Sequence, residues 1–163
     1  MKIELAVAAR GLATWVRNVY PLYLHDLSAF TDYYSLGADG LWRPDHLDDW
    51  LAGGPLQHAL VIVADGDPAG FAFVGQAPFA HMTPGRDFRL CEFFVLNRFR
   101  RRGVGRGAAF AIFDRFRGEW EVTEVPRNEG AIAFWRRVIG EYTRGGFSDS
   151  LEPGEQVQVF TSR

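Results

Sequence analysis

The sequence has little of several features that define whole classes of protein. Among its 163 residues there is one cysteine, Cys91, which excludes an internal disulfide and suits a reducing compartment. Its four histidines are scattered without the spacing of a metal site, so no metal is expected. The N-terminus lacks the pattern of a signal peptide, and no apolar run approaches the ~18 residues of a membrane span. We therefore expect a cytoplasmic protein with no membrane partner.

The remaining composition is typical of a folded domain. Hydrophobic residues make up 47% of the sequence and charged residues 23%, and no repeat or linker is visible, so a single domain over residues 1–163 is expected. The net charge of −2 argues against a nucleic-acid partner. Charge is nevertheless uneven: residues 1–50 hold four basic and seven acidic residues, whereas residues 86–106 hold seven basic and two acidic ones. The second region suits an anionic ligand.

Hydrophobic spacing and turn residues predict a mixed α/β order of elements. Helices are expected over 10–28, where Pro21 kinks or ends the helix, over a short stretch opened by Pro44, over 104–117, and after an N-cap at Asn128. Strands are expected over 59–64, 69–75, 88–96, 119–125 and 156–160, the first two forming a hairpin. The resulting order is helix, helix, hairpin, strand, helix, strand, helix, strand.

The stretch from Val95 to Ala109 carries the strongest functional signal. It reads as a strand end, a turn with glycines at alternate positions (Gly103, Gly105 and Gly107), and the start of a helix. Glycines allow a ligand to approach the backbone closely, and a helix N-terminus presents unpaired amides to an anion. Five arginines lie between residues 98 and 106. A phosphorylated ligand is the natural occupant.

Other interpretations of this turn fit less well. A dinucleotide-binding fingerprint requires G-x-G-x-x-G directly after a strand, whereas the turn has G-x-G-x-G, with residues 98–102 in between. A phosphate-binding Walker loop requires Gly-Lys-Ser/Thr, which is absent. The plain alternative is a tight turn between strand and helix with a solvated basic rim.

Two motifs resemble one known family. Arg100-x-x-Gly103-x-Gly105 resembles the pyrophosphate loop of the GNAT superfamily (Gcn5-related N-acetyltransferases), and Val95 lies eight residues before Gly103, as a strand valine does in that family. Asn128-x-x-Ala131-x-x-Phe134-Trp135 resembles the family segment N-x-x-A-x-x-F-Y. The hairpin segment Pro68-x-Gly70-Phe71 also fits, so the resemblance covers roughly residues 55–147. Two further segments, Glu92 to Val95 and Phe134 to Ile139, are similar to a little-characterised subgroup of predicted acetyltransferases.

The resemblance implies a GNAT fold, α/β (α+β), with a mostly antiparallel sheet of six to seven strands, helices on both faces and splayed central strands. It also implies acetyl-coenzyme A (acetyl-CoA) as acyl donor, and no metal. The residues it assigns to coenzyme A are Phe94, Val95, Arg100, Arg101, Arg102, Gly103, Val104, Gly105, Arg106, Asn128, Ala131, Phe134 and Trp135.

Glu92 is the candidate general base. A carboxylate in an apolar strand has a raised pKa, which suits proton abstraction from an amine; the alternative is a buried glutamate paired with an arginine. Its neighbour Cys91 should point to the opposite face and into the core. The family acid is a tyrosine, but Trp135 stands at that position and cannot supply a titratable proton. Tyr142, two helical turns further on, is the replacement candidate, although Gly140 argues against a continuous helix.

The expected activity is transfer of an acetyl group to an amine of a small molecule or peptide. Tyr33, Tyr34 and Trp42 lie in the acidic segment that the resemblance implies is the acceptor wall. Two alternatives stay open. One is a different acyl group or a non-amine acceptor on the same fold, and the other is a sensor module that binds the coenzyme without turnover. A homodimer is also left open.

Overall fold

The computed structural model describes residues 1–163 and contains seven strands and four α-helices. In chain order these are β1 (Ile3–Val7), α1 (Gly11–Leu27), α2 (Leu47–Ala52), β2 (Gln57–Ala64), β3 (Asp67–Gln76), β4 (Phe88–Val95), α3 (Val104–Arg115), β5 (Gly118–Glu124), α4 (Glu129–Thr143), β6 (Phe147–Glu152) and β7 (Glu155–Ser162). A short 3-10 turn, Asn97–Phe99, follows β4. None of the helices combines the length and apolar character that crossing a membrane requires.

All seven strands form one sheet in the order β1-β2-β3-β4-β5-β7-β6. Every neighbouring pair is antiparallel except β4 and β5, which run parallel and are connected through α3. The parallel pair is short: Phe88, Arg89 and Leu90 are the only β4 residues in register with β5. The rest of β4 is unpaired on that side. The mostly antiparallel sheet and its splayed central strands are therefore confirmed.

Helices cover both faces of the sheet, as expected. Successive residues of β3 alternate between the faces, so Phe71 and Phe73 pack with α1 and α2, whereas Ala72 and Val74 pack with α3 and α4. Tyr20 of α1 stacks on both phenylalanines, at ring-centroid distances of 5.4 and 6.1 Å. β4 thus lies in the middle of a double-sided core.

A β-bulge in β4 overturns the expected direction of Cys91, although the residue does pack against the core. Phe73 pairs with Glu92 while the next residue, Val74, pairs with Leu90, so Cys91 is the extra residue. Alternation is broken there, and Cys91 packs against the same cluster that contains Tyr20. Burial raises the pKa of the Cys91 thiol to about 12, which leaves it protonated and a poor nucleophile.

Two strands were not predicted. β6 has the polar sequence FSDSLE and is mostly exposed, because an edge strand is held by pairing with β7 rather than by burial. β1 is a five-residue edge strand whose apolar residues show no clear alternation.

Several predicted boundaries also change. α1 continues past Pro21 to Leu27, and α2 begins at Leu47 rather than at Pro44. α3 ends at Arg115, and Gly118 starts β5 instead of terminating the helix. The Asn128 cap is confirmed, since its side chain accepts a hydrogen bond from the Ala131 amide.

The close approach of β3 to β4 makes a stability prediction. Gly70→Ala would place a Cβ 2.0 Å from the Phe94 carbonyl oxygen and 3.0 Å from the Val95 Cα, both backbone atoms of a central strand. We expect the free energy of unfolding, measured with urea, to fall by about 3 kcal/mol. Gly11→Ala, which meets no atom within 4 Å, is the control and should change it little. Equal effects of the two substitutions would contradict this packing argument.

Candidate active site

A cavity of about 720 Å³ occupies the gap between β4 and β5. Its walls come from α1 and the segment after it, from the free half of β4, from the end of β5, from the loop before α3, and from the start of α4. The cavity therefore brings together the glycine-rich turn, Glu92 and the Asn128 segment, which lie far apart in the sequence.

Glu92 lies in this cavity on the face of β4 that packs against α1. The Tyr20 hydroxyl donates a hydrogen bond to its Oε1 at 3.4 Å, while Oε2 is buried and has no partner. Burial raises the pKa of Glu92 to about 7, although the hydroxyls of Tyr23 and Tyr20 lower it in part. Glu92 forms no ion pair, so the alternative of an arginine-paired glutamate does not apply. It is a carboxyl group suited to proton transfer at neutral pH.

The turn before α3 carries unpaired backbone amides. The first hydrogen bond of α3 runs from the Gly107 amide to the Gly103 carbonyl at 2.9 Å, so the amides of residues 104–106 have no acceptor in the helix. Arg101 and Gly103 adopt positive φ angles of 59° and 82°, and the amides of residues 101–103 make no backbone hydrogen bond. Six successive donors are thus free for an anion.

The arginines of the turn differ in what they already bind. Arg100 donates from Nε to the Val95 carbonyl and forms an ion pair with Asp26, both at 2.6 Å, so it ties β4 to α1. Arg106 forms an ion pair with Glu141 at 2.5 Å. Arg101 lines the cavity and has no ion-pair partner, which leaves its guanidinium available to a ligand.

Two of the expected coenzyme residues contribute no side chain to the cavity. Val104 is fully buried in a core cluster with Phe99 and Ala108, and Arg102 is exposed outside the cavity wall. At these two positions only the backbone amides can contribute to the site. The other expected residues line the cavity: Phe94, Val95, Arg100, Arg101, Gly103, Gly105, Arg106, Asn128, Ala131, Phe134 and Trp135.

The α4 wall is aromatic. Trp135 is 5% exposed, and its ring lies 4.9 Å from Phe93 and 4.9 Å from Phe134, centroid to centroid. The Trp135 ring therefore serves as a packing surface for its neighbours.

Tyr142 does not belong to this wall, so its position does not suit the general acid that it was expected to be. α4 does continue through Gly140, but the Tyr142 side chain points to α3, where its hydroxyl donates to Asp114 Oδ1 at 2.9 Å. It packs on Phe110 and Phe113 in the core and does not line the cavity.

The α1 side of the cavity is lined by Tyr23, Leu27, Phe30 and Tyr34. Tyr34 also borders a second cavity of about 260 Å³, which Tyr33 and Trp42 line as well. The three expected acceptor residues therefore lie together, but only Tyr34 reaches the main cavity.

Sequence analysis missed Glu124 and Arg137, which both line the main cavity. Glu124 ends β5, and it reaches the cavity only because β5 lies beside β4. Nothing local in the sequence distinguishes it from an exposed glutamate.

The geometry agrees with the comparison to known proteins. The model of the acetyltransferase (GNAT) family matches residues 20–140, more than half of the chain, and the chain belongs to this family. No curated protein matches significantly.

Solved structures show the same fold at low identity. An acetyltransferase from Thermus thermophilus is 17% identical with a TM-score of 0.67, over 99% of this chain and 97% of that one. A GNAT acetyltransferase from Streptococcus agalactiae is 13% identical with a TM-score of 0.70, over 99% and 96%. Spermidine N-acetyltransferase from Vibrio cholerae, solved with CoA and spermine, is 13% identical with a TM-score of 0.65, over 98% and 95%.

Burial of Glu92 predicts that the difference in stability between wild type and Glu92→Gln depends on pH. Its folded pKa of about 7 lies above the usual 4.5, so its contribution to stability is complete below pH ~4.5 and is lost as the pH rises through about 7. Glu92→Gln does not titrate, so its Tm should rise relative to wild type between pH 5 and about pH 8. Thermal melts across this range measure the difference. The exposed Glu152→Gln should show none, and a flat difference for Glu92→Gln would contradict the pKa shift.

Proposed function

We propose that this protein transfers an acetyl group from acetyl-CoA to an amine of a small molecule or peptide. The observation that carries the proposal is the single cavity that joins the unpaired turn amides to Glu92 through the gap between β4 and β5. Members of the GNAT family use acetyl-CoA. For this chain, the donor and the acceptor are inferred from how well its own cavity residues suit them.

The residues present fit coenzyme A. The amides of residues 101–106 and the Arg101 guanidinium form a seat for phosphate groups. Gly105 lets this turn lie against the Phe134 ring, since a Cβ there would meet the ring at 3.2 Å. Beyond Leu90, the β4 edge is free of β5, so its backbone groups can pair with the amides of a pantetheine chain. When bound, acetyl-CoA supplies a thioester that reacts directly with an amine.

Glu92 would remove the proton from the acceptor nitrogen. Glu92 lines the cavity, and its pKa of about 7 allows it to accept a proton at neutral pH. The walls hold donor and acceptor side by side, which lowers the entropic barrier to attack.

The acceptor would enter from the α1 side. Phe30 and Tyr34 give that half of the cavity an aromatic wall, and Asp26 there is already paired with Arg100. An amine carried by an apolar or aromatic body suits this lining, and its nitrogen would be directed to Glu92.

The second candidate function is a module that binds acyl-CoA without turnover. It is favoured by one observation: Trp135 occupies the position where the family has a tyrosine, and Tyr142 does not reach the cavity. Such a protein would still bind the phosphate groups of acyl-CoA but would not release a free thiol.

The phosphate seat gives a binding prediction. Arg101→Ala should weaken coenzyme A binding by about tenfold, or ~1.4 kcal/mol, because Arg101 lines the cavity and its charge has no ion-pair partner. Arg102→Ala removes the same charge one residue away, outside the cavity wall, and should have a much smaller effect. Calorimetric titration at one salt concentration compares the two. Equal losses would show that net charge alone attracts the ligand, and no wild-type binding at millimolar coenzyme A would contradict the proposal itself.

The activity is tested by thiol release from acetyl-CoA over a panel of amines. Wild type should release thiol with at least one amine, and Glu92→Gln should reduce the rate by about 10²-fold or more with little change in coenzyme A affinity. Glu152→Gln, an exposed carboxylate on β6, is the control. Binding of acetyl-CoA without thiol release would favour the sensor instead. An unchanged rate in folded Glu92→Gln would assign Glu92 to structure.

A further inference from the structure

Tyr20 of α1 contacts the candidate base from outside the cavity, and the function proposed above gives it no role. Its hydroxyl donates to Oε1 of Glu92 at 3.4 Å, and this is the only hydrogen bond that the side chain makes. Tyr20 is 4% exposed and does not line the cavity, whereas Glu92 does. Tyr20 can therefore act on Glu92 but has no direct contact with a ligand.

The Tyr20 ring is held in place by three other aromatic rings. It stacks on Phe71 and Phe73 of β3 at 5.4 and 6.1 Å and meets Tyr23 edge to face at 5.6 Å, all between ring centroids. A buried ring packed in this way has little freedom to turn, so its hydroxyl is directed to one place. Phe73 is also the residue in register with Glu92, and directly paired residues have their side chains on the same face of a sheet.

The Tyr20 hydroxyl can serve only as a donor to Glu92. Burial and the nearby Glu92 charge raise the pKa of this hydroxyl far above the usual 10, so it keeps its proton at neutral pH. A hydrogen bond to an ionised acceptor is stronger than one to a neutral acceptor. The hydroxyl therefore favours the carboxylate form of Glu92 over the neutral acid.

No cation near Glu92 performs this task. The other titratable groups around it are one thiol and two tyrosines, all of them uncharged at neutral pH: Cys91, Tyr23 and Tyr34. β3 and α2 contribute apolar side chains to the same cluster, and Asp26 of α1 is paired with Arg100. Burial raises the pKa of Glu92 to about 7, and only the hydroxyls of Tyr23 and Tyr20 lower it.

We propose that Tyr20 is a positioning residue for the proton transfer: its hydroxyl holds the Glu92 carboxylate ionised and in one orientation, in which it receives the proton of the acceptor amine. The proposal rests on the acetyl transfer proposed above. The proton moves from the amine nitrogen to Glu92, and solvent later takes it from there. Tyr20 keeps its own proton throughout, so it is neither the acid nor the base.

The test is the pH dependence of thiol release by Tyr20→Phe, which removes the hydroxyl and keeps the stacked ring. Loss of the donor should shift the acidic limb of the kcat/KM profile, which Glu92 sets, to higher pH by about half a unit to one unit. Thiol release should therefore fall about three- to tenfold at about pH 6 and much less at about pH 9. A substitution that only disturbed the fold would lower the rate without moving the limb.

A second measurement needs no turnover. The gain in Tm caused by Glu92→Gln should increase with pH and level off near the folded pKa of Glu92. In the Tyr20→Phe background the gain should level off at a higher pH and be larger at about pH 9, because a carboxyl group with a higher folded pKa costs more stability when it ionises.

Tyr142→Phe is the matched control for both measurements. It also removes one tyrosine hydroxyl, but that hydroxyl donates to Asp114 at 2.9 Å and lies outside the cavity. Tyr142→Phe should leave the acidic limb and the pH at which the Tm gain levels off unchanged.

The outcomes distinguish the two proposals. No thiol release by wild type with any amine contradicts the proposed function, and the thermal melts alone then show whether Tyr20 holds Glu92. If wild type turns over, an acidic limb that stays in place in Tyr20→Phe contradicts only the role of Tyr20. An equal loss of rate at every pH would make Tyr20 a structural residue, and an unshifted Tm gain would show that its hydroxyl does not favour the carboxylate. Each of these last two results overturns the proposal.

Discussion

The structure depends on the early end of one strand pairing. β4 and β5 stay in register for three residues and then separate, although both belong to a continuous seven-stranded sheet. Buried backbone groups must find partners, so the free edges of the two strands need a ligand or water. The cavity is the direct consequence of this separation.

A half-buried arginine holds the closed end of the gap. Arg89 of β4 is held across the gap by Glu121 and Thr123 of β5, at 3.4 and 2.9 Å, and by Glu155 of β7 at 2.9 Å. Removing one partner from such a network leaves an uncompensated buried charge, which is costly. At the open end Arg100 ties β4 to α1. Arg89 therefore fixes the closed end of the gap and Arg100 fixes β4 to α1 at the open end, while Arg101 has no ion-pair partner.

The parts of this arrangement that could be predicted from the sequence are the local ones. The glycine-rich turn, the Asn128 cap and the hairpin follow from chemistry within a few residues, and all three are present. The bulge at Cys91, the edge strand β6 and the direction of Tyr142 could not be predicted, because each is decided by a neighbour distant in sequence. Glu124 was missed for the same reason: its burial comes from the way α4, β6 and β7 surround the end of β5.

The carboxylates that line the cavity differ in whether an arginine neutralises them. Asp26 and Glu155 line the same cavity, yet each is neutralised by an arginine that fixes a strand. Glu92 has no such cation, and its ionisation reduces stability. Unpaired buried acids are retained against this cost where a reaction needs them, because a functional site violates the rules that stabilise the rest of a protein. The same absence of a paired cation that weakens the fold keeps the pKa of Glu92 at about 7, where a carboxyl group can both accept and release a proton.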